Sequence, residues 1–244
     1  MRISILLPYK ENFSKRSAGA VSIFVNGIIK NSKYKKNINI FGNTSHNDIL
    51  SKKYINLDYN KSLFKSDTKS YIKRFIKREY IHKSDLIEIH NRPNYIPLIK
   101  DISDAKIIFY FHNDPLSMKG SKSISERLLI LNSVDKIIFV SEWVKKRFFT
   151  DLDEKLSAQT DVIYPSVKKK KIIQKFKYIT FVGRLNYSKG YDIFKNAILR
   201  ILNEYPEWKA YSVGDEERRN IYINHKQHFE LGFLNHKKTL NLLN

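Results

Sequence analysis

The sequence predicts an α/β protein built on parallel sheets, and three observations carry that expectation. Short apolar runs rich in β-branched residues recur along the chain, amphipathic stretches of helical period separate them, and polar residues follow the runs at once. This alternation is the signature of βαβ units. The first run, residues 3–9, ends in a polar loop, after which Ala18-Gly19-Ala20 opens a helix with Val21, Phe24, Val25, Ile28 and Ile29 on one face. Further strands are expected at residues 38–41, 86–90, 106–111, 136–140 and 161–164. Tyr71, Ile72, Phe75, Ile76 and Tyr80 mark a basic amphipathic helix over residues 69–82, and residues 124–131 form another. Beyond the run Lys168-Lys169-Lys170-Lys171, a strand at 178–183, a helix at 189–203 and a strand at 208–213 begin a second parallel sheet. Two lobes follow: residues 1–167, a solvated linker at 168–175, and residues 176–244.

Composition bounds the function. At ~150 residues per domain, 244 residues allow one large domain or one domain and part of another. With 42% hydrophobic residues the chain can bury a core, which excludes a disordered protein. The absence of cysteine excludes a disulfide scaffold, thiolate catalysis and cysteine-based zinc sites, and fits the cytoplasm. The apolar run before Pro8 is too short for a signal peptide, and no run approaches the ~18 residues of a membrane span.

Lys and Arg number 45 against 24 Asp and Glu, a net charge of +21. Such a field draws anions: nucleic acid, acidic lipid headgroups or phosphorylated substrates. A lysine-rich composition accounts for the excess equally well. The helix over 69–82 carries Lys69, Lys73, Arg74, Lys77 and Arg78 beside its apolar stripe. It could lie on an anionic membrane, or simply cover a sheet with a solvated outer face. Nucleic acid is not the expected partner, because no recognition helix, zinc module or RNP-type strand is visible.

In parallel sheets ligands bind at the carboxyl ends of strands. Four places qualify. The first is the loop of residues 10–19, where Gly19 before a helix lets backbone N–H groups approach an anion or a sugar. The second and third are Glu88-Ile89-His90-Asn91-Arg92-Pro93 and His112-Asn113-Asp114-Pro115, in which His90 or His112 could hydrogen-bond a substrate hydroxyl, act as a base, or satisfy loop carbonyls. The fourth is the strand that breaks at Gly183 into Arg184-Leu185-Asn186-Tyr187-Ser188-Lys189-Gly190 and opens a helix. Arg184 can fork two phosphate oxygens, Lys189 adds a point charge, and the helix start supplies N–H donors, a combination suited to a diphosphate.

Other patterns are set aside. Gly120-Ser121-Lys122-Ser123 lacks the earlier glycine of a phosphate loop, and no dinucleotide fingerprint exists. Asp151-Leu152-Asp153 lies in a polar stretch rather than at a strand end, and His225, His228 and His236 match no metal-ligand spacing. No metal site is expected.

Taken together, these residues resemble family 4 of the glycosyltransferases, retaining enzymes of the GT-B architecture with two Rossmann-like lobes. The stretch from Phe139 through Ser141 to Phe148 is similar to the family's strand-then-serine segment, and Val162-Ile163-Tyr164-Pro165-Ser166-Val167 to its interdomain hinge. Residues 181–190 resemble its G-R-L…K-G loop, and Val213-Gly214-Asp215 its following turn. The resemblance implies that Gly183, Arg184 and Lys189 bind the diphosphate of a nucleotide-sugar donor without a metal or other cofactor. It further implies that His112 stands beside the donor sugar at the reaction centre between the lobes, and that the Gly19 loop shapes the acceptor side. His90, Asn91, Asn113, Asp114, Ser141, Gly214 and Asp215 are then further candidates for the cleft. The implied reaction moves a sugar to a carbohydrate or glycolipid acceptor in cell-envelope polysaccharide or lipopolysaccharide synthesis, in the cytoplasm or peripherally on the inner face of the plasma membrane.

The family's glutamate pair should follow residues 231–236, and the chain reaches Asn244 without it. Residues 176–244 are also too few for a whole doubly wound domain of ~100–150 residues. An incomplete second lobe is therefore expected, as a fragment, a split protein or a degenerate, non-catalytic scaffold that binds anions. Its exposed strand edge and uncovered apolar face should leave it poorly stable alone.

Overall fold

Every strand pair named below is parallel. The computed structural model describes residues 1–58, 67–166, 174–216 and 220–243. Contacts divide the chain into two units, Met1–Val167 and Lys168–Asn244. The run of four lysines at 168–171 and Val167 of the hinge-like segment lie outside the described residues.

The first unit carries strands β1 (Ile3–Leu6), β2 (Ile38–Gly42), β3 (Tyr54–Asn56), β4 (Leu86–His90), β5 (Lys106–Phe111), β6 (Lys136–Phe139) and β7 (Thr160–Val162). They form one sheet in the order β3-β2-β1-β4-β5-β6-β7. The order reverses between β1 and β4, and at such a switch point the loops diverge and leave a crevice. Helices α1 (Ala20–Asn31), α2 (Asp67–Ile81), α3 (Ile96–Lys100), α4 (Ile124–Ser133) and α5 (Glu142–Phe148) complete the unit.

Side-chain alternation along β1 explains the two-sided core. Ile3, Ile5 and Leu7 face a cluster with Val21, Val25 and Ile29 of α1. Leu6 faces the larger cluster, with Tyr71, Ile72 and Phe75 of α2, Ile96 and Ile99 of α3, Ile130 of α4 and Phe148 of α5. The apolar stripe of α2 is thus buried on the sheet, and Lys69, Lys73, Arg74, Lys77 and Arg78 face outward. The Tyr71 hydroxyl donates to the Leu7 carbonyl at 2.8 Å, tying α2 to the top of β1.

β4 and β5 have the bounds the apolar runs predict. β1 stops three residues earlier than expected, because Pro8 has no N–H to offer the ladder. β7 is shifted one residue toward the N-terminus at its start and ends at Val162 rather than Tyr164.

The second unit holds β8 (Tyr178–Val182), α6 (Tyr191–Glu204), β9 (Lys209–Val213), β10 (His228–Glu230) and α7 (His236–Leu242). Its three strands run in the order β10-β9-β8. α6 begins two residues later than the periodicity suggests, since Gly190 adopts the left-handed conformation with φ 72°. Leu185, Tyr191, Ile198, Leu202, Ala210, Ile221 and Ile223 form a separate core. On the opposite face of the sheet, Phe176, Tyr178, Tyr211 and Phe229 make a continuous row of ring contacts at 5.1–5.5 Å. Phe176, Tyr178 and Phe229 of that row are exposed. Among the described residues, no helix is long and apolar enough to cross a membrane.

Candidate functional site

The carboxyl ends of β1, β4 and β5 border a cavity of about 400 Å³ whose walls include Pro8, Lys10, Glu11, Phe24, Asn91, Arg92, His112 and Asn113. It lies at the switch point, where sheet topology alone would place a ligand.

The β4–β5 register aligns His90 with Tyr110, which brings His112 beside His90. His90 Nδ1 and His112 Nε2 are 2.9 Å apart. His90 is wholly buried, and Tyr110 stacks on it with centroids 4.7 Å apart. Phe24 from α1 meets the His112 ring edge-on at 5.0 Å. Desolvation, then the neighbouring His90, pushes the His112 pKa from its ordinary 6.5 down to about 3, so this imidazole is neutral at physiological pH. Asn91 has a left-handed backbone, φ 52°, a conformation asparagine tolerates better than most residues. There its side-chain oxygen accepts the His112 amide at 2.8 Å while its own amide donates to the Tyr110 carbonyl at 2.9 Å. Arg92 closes the corner by donating to the Asn91 carbonyl at 2.7 Å.

Of the other predicted cleft residues, Asp114 and Ser141 have local partners. Asp114 receives a two-pronged contact from Arg147 at 3.2 and 3.1 Å and caps the turn at Leu116. The Arg147 guanidinium holds its carboxyl below the usual range. Ser141 caps α5 by accepting the Val144 amide at 3.2 Å.

Gly19 stands at the start of α1, where an anion or a sugar was expected, and the carboxylate of Glu11 is already there. A Glu11 oxygen accepts the Ser22 amide in the first turn at 2.9 Å. A Cβ on Gly19 would push that carboxylate aside.

In the second unit, Gly183 and Gly214 end neighbouring strands in close contact. The Gly183 amide donates to the Val213 carbonyl at 2.9 Å, and a Cβ on Gly214, whose φ is 145°, would run into the Gly183 carbonyl. Asn186 donates to Glu216 at 2.6 Å, and the Asp215 carboxylate accepts the Glu216 amide at 2.8 Å. The loop therefore turns tightly and leaves Arg184 and Lys189 exposed, ahead of the first turn of α6.

Glu11 and Glu216 are polar participants that sequence reasoning did not single out, and Glu88 and Asn186, which fell within candidate segments, were given no role of their own. An acidic residue in the loop that leads to a glycine-opened helix was the only signal for Glu11. Of the motifs set aside, Ser123 and Glu126 form the capping box of α4. His228 pairs with Ser212 at 2.8 Å, and Ser212 also accepts from the Tyr191 hydroxyl at 3.0 Å. Among the described residues, no group of three or more His, Asp or Glu side chains could hold a metal ion.

No family model matches the chain. The candidate glycosyltransferase YtcC of Bacillus subtilis is 27% identical over 177 residues, covering 62% of this chain and 43% of that protein. The chain thus spans less than half the length of this curated relative. Among solved structures, Alr3699/HepE of Anabaena, determined in complex with UDP, matches with a TM-score of 0.66 at 15% identity, over 96% of this chain and 70% of its own. WaaG, a glycosyltransferase involved in lipopolysaccharide biosynthesis, matches with a TM-score of 0.61 at 9% identity, over 97% and 72%. The fold is that of the GT-B glycosyltransferases, α/β with two parallel sheets.

Proposed function

We propose that the chain serves a retaining glycosyl transfer from a nucleotide-diphospho-sugar to a carbohydrate or glycolipid acceptor, in the manner of family 4. The observation that carries this reading is the 183–190 loop, which presents two exposed cations ahead of a helix at the carboxyl end of β8. Arg184 would fork the diphosphate, and Lys189 would neutralise the charge that builds on the departing nucleotide. Fixed cations in those roles require no metal. UDP is the first nucleotide to test, because Alr3699/HepE holds it.

In the first unit the neutral His112 would hydrogen-bond a sugar hydroxyl within the cavity. Glu11 at the start of α1 favours a hydroxyl-bearing ligand there over a phosphate, since a second anion would meet its charge. The outward cations of α2, with Tyr80 and Ile81 exposed at its end, suit peripheral contact with an anionic membrane that carries a glycolipid acceptor of cell-envelope synthesis. On this reading the chain works in the cytoplasm.

Calorimetric titration with a panel of nucleoside diphosphates, without metal and at moderate salt, tests the proposal. One nucleotide should bind, and Arg184→Ala and Lys189→Ala should each weaken it about 10–100-fold, the worth of a charged hydrogen bond. No binding to the folded chain sinks the reading. Binding without any sugar transfer favours a non-catalytic anion-binding scaffold, a second reading that the small three-stranded sheet of the second unit makes worth testing.

A further inference from the structure

We infer that His90, oriented by Glu88, is a positioning residue that holds His112 in a single tautomer, with its proton on Nε2 and the lone pair of Nδ1 free to accept a ligand hydroxyl. The inference deepens the sugar-binding role given to His112 and rests on that reading for its function, but not for its geometry.

The argument is one of hydrogen-bond direction. In a neutral pair of imidazoles 2.9 Å apart, one nitrogen donates and the other accepts. The opposite nitrogen of His90 decides which. His90 Nε2 is buried with no hydrogen-bond partner, and the nearest charge is a carboxylate oxygen of Glu88 at 3.8 Å. A proton on Nε2 facing that oxygen is attracted to it. A lone pair facing it is repelled, in an interior where little water screens the interaction. The proton of His90 therefore belongs on Nε2, which leaves Nδ1 to accept. His112 must then donate from Nε2, and its Nδ1 carries a lone pair on a residue that lines the cavity.

Packing keeps the rings from escaping this arrangement. Tyr110 stacks on His90, Phe24 stands edge-on to both histidines, and Asn91 fixes the His112 backbone. Glu88 and His90, two residues apart, share one face of β4, so both point to the side of the sheet where His112 arrives from β5. Glu88 reaches no ligand in this account; it acts on His112 through His90.

The test is nitrogen-15 NMR of the histidine rings in the full chain at pH 8, with His112 assigned by its loss in His112→Asn. The expected wild-type spectrum shows His112 protonated at Nε2 and bare at Nδ1. In Glu88→Ala that single tautomer should give way to a mixture with averaged shifts, and Glu88→Gln, whose amide oxygen can still face His90, should restore it. A wild-type His112 protonated at Nδ1 overturns the inference even if no variant folds. An unchanged tautomer in folded Glu88→Ala overturns the part given to Glu88. Because the readout needs no ligand, it stands apart from the nucleotide titration: a chain that fails to bind any diphosphate can still show the relay, and one that binds can still lack it.

Discussion

Glu11 and Gly19 occupy one space at the head of α1. The carboxylate of the first fills the position that a side chain on the second would need, and from there it accepts the Ser22 amide at 2.9 Å. Gly19→Ala should therefore displace Glu11 and uncap the helix, at a cost of about 1–2 kcal/mol. The double variant Glu11→Ala/Gly19→Ala should lose little more than Gly19→Ala alone, because the cap that Glu11 supplies is already lost in the single variant. Urea unfolding of Gly19→Ala, Glu11→Ala and the double variant measures this, and strictly additive losses would show that the two residues act independently.

Gly214 bears the same kind of constraint in the second unit. A methyl group there would strike the Gly183 carbonyl, and its positive φ penalises any side chain. Gly214→Ala should force apart the loops after β8 and β9, lowering stability by about 1–3 kcal/mol and weakening the proposed nucleotide binding together with it. The titration used for Arg184→Ala, paired with a thermal melt, reads both effects. A melt unchanged from wild type would contradict the close approach.

Glu79 is a buried carboxylate with work remote from the cavity. It accepts the Ser84 amide at 2.7 Å, the Ser84 hydroxyl at 2.8 Å and the Ser103 hydroxyl at 3.2 Å, so it joins the end of α2 to the approaches of β4 and β5. Glu79→Ala leaves three donors without their acceptor and should cost about 2–4 kcal/mol. Glu79→Gln keeps one acceptor oxygen and should cost roughly half as much by the same reasoning. Chemical denaturation separates the two variants.

Legibility in the sequence followed the length and burial of each segment. β4 and β5 were readable to the residue, because each is a short, largely apolar run in which Ile87, Ile89, Ile107 and Phe109 are buried. β3 and β10, three residues each, offer no run to detect, and α3 hides behind Pro93 and Pro97. At the site, His90 and His112 could be named from their positions at strand ends. Their contact could not, since it depends on the β4–β5 register. Asp114 was named from its position after β5 and Ser141 from the family-like segment, and what the sequence hid was the return of α5, which brings Arg147 to one and uses the other as its cap. Glu11 was hidden most completely: a loop carboxylate finds a helix start only once the chain has folded back.

The pH dependence of stability should have two windows, both descending toward acid. His112 has a folded pKa of about 3 against an ordinary 6.5, so below 6.5 the unfolded chain takes up a proton that the folded chain refuses. Stability is complete above 6.5 and falls as pH drops toward 3, with a limiting slope near 1.4 kcal/mol per pH unit for one proton. Asp114 is displaced in the same direction, held below its ordinary 3.8 chiefly by Arg147. Its contribution is present above 3.8 and disappears as pH falls through the lowered value. Being a partly exposed ion pair, it should contribute less than about 1 kcal/mol. His112→Asn should flatten the curve between pH 6.5 and 4 while leaving the second descent intact, and Asp114→Asn should do the reverse. Unfolding free energies of the three chains across pH 3–8 decide the matter: a wild-type curve already flat between 6.5 and 4 would mean that the imidazole gains its proton in the folded protein after all.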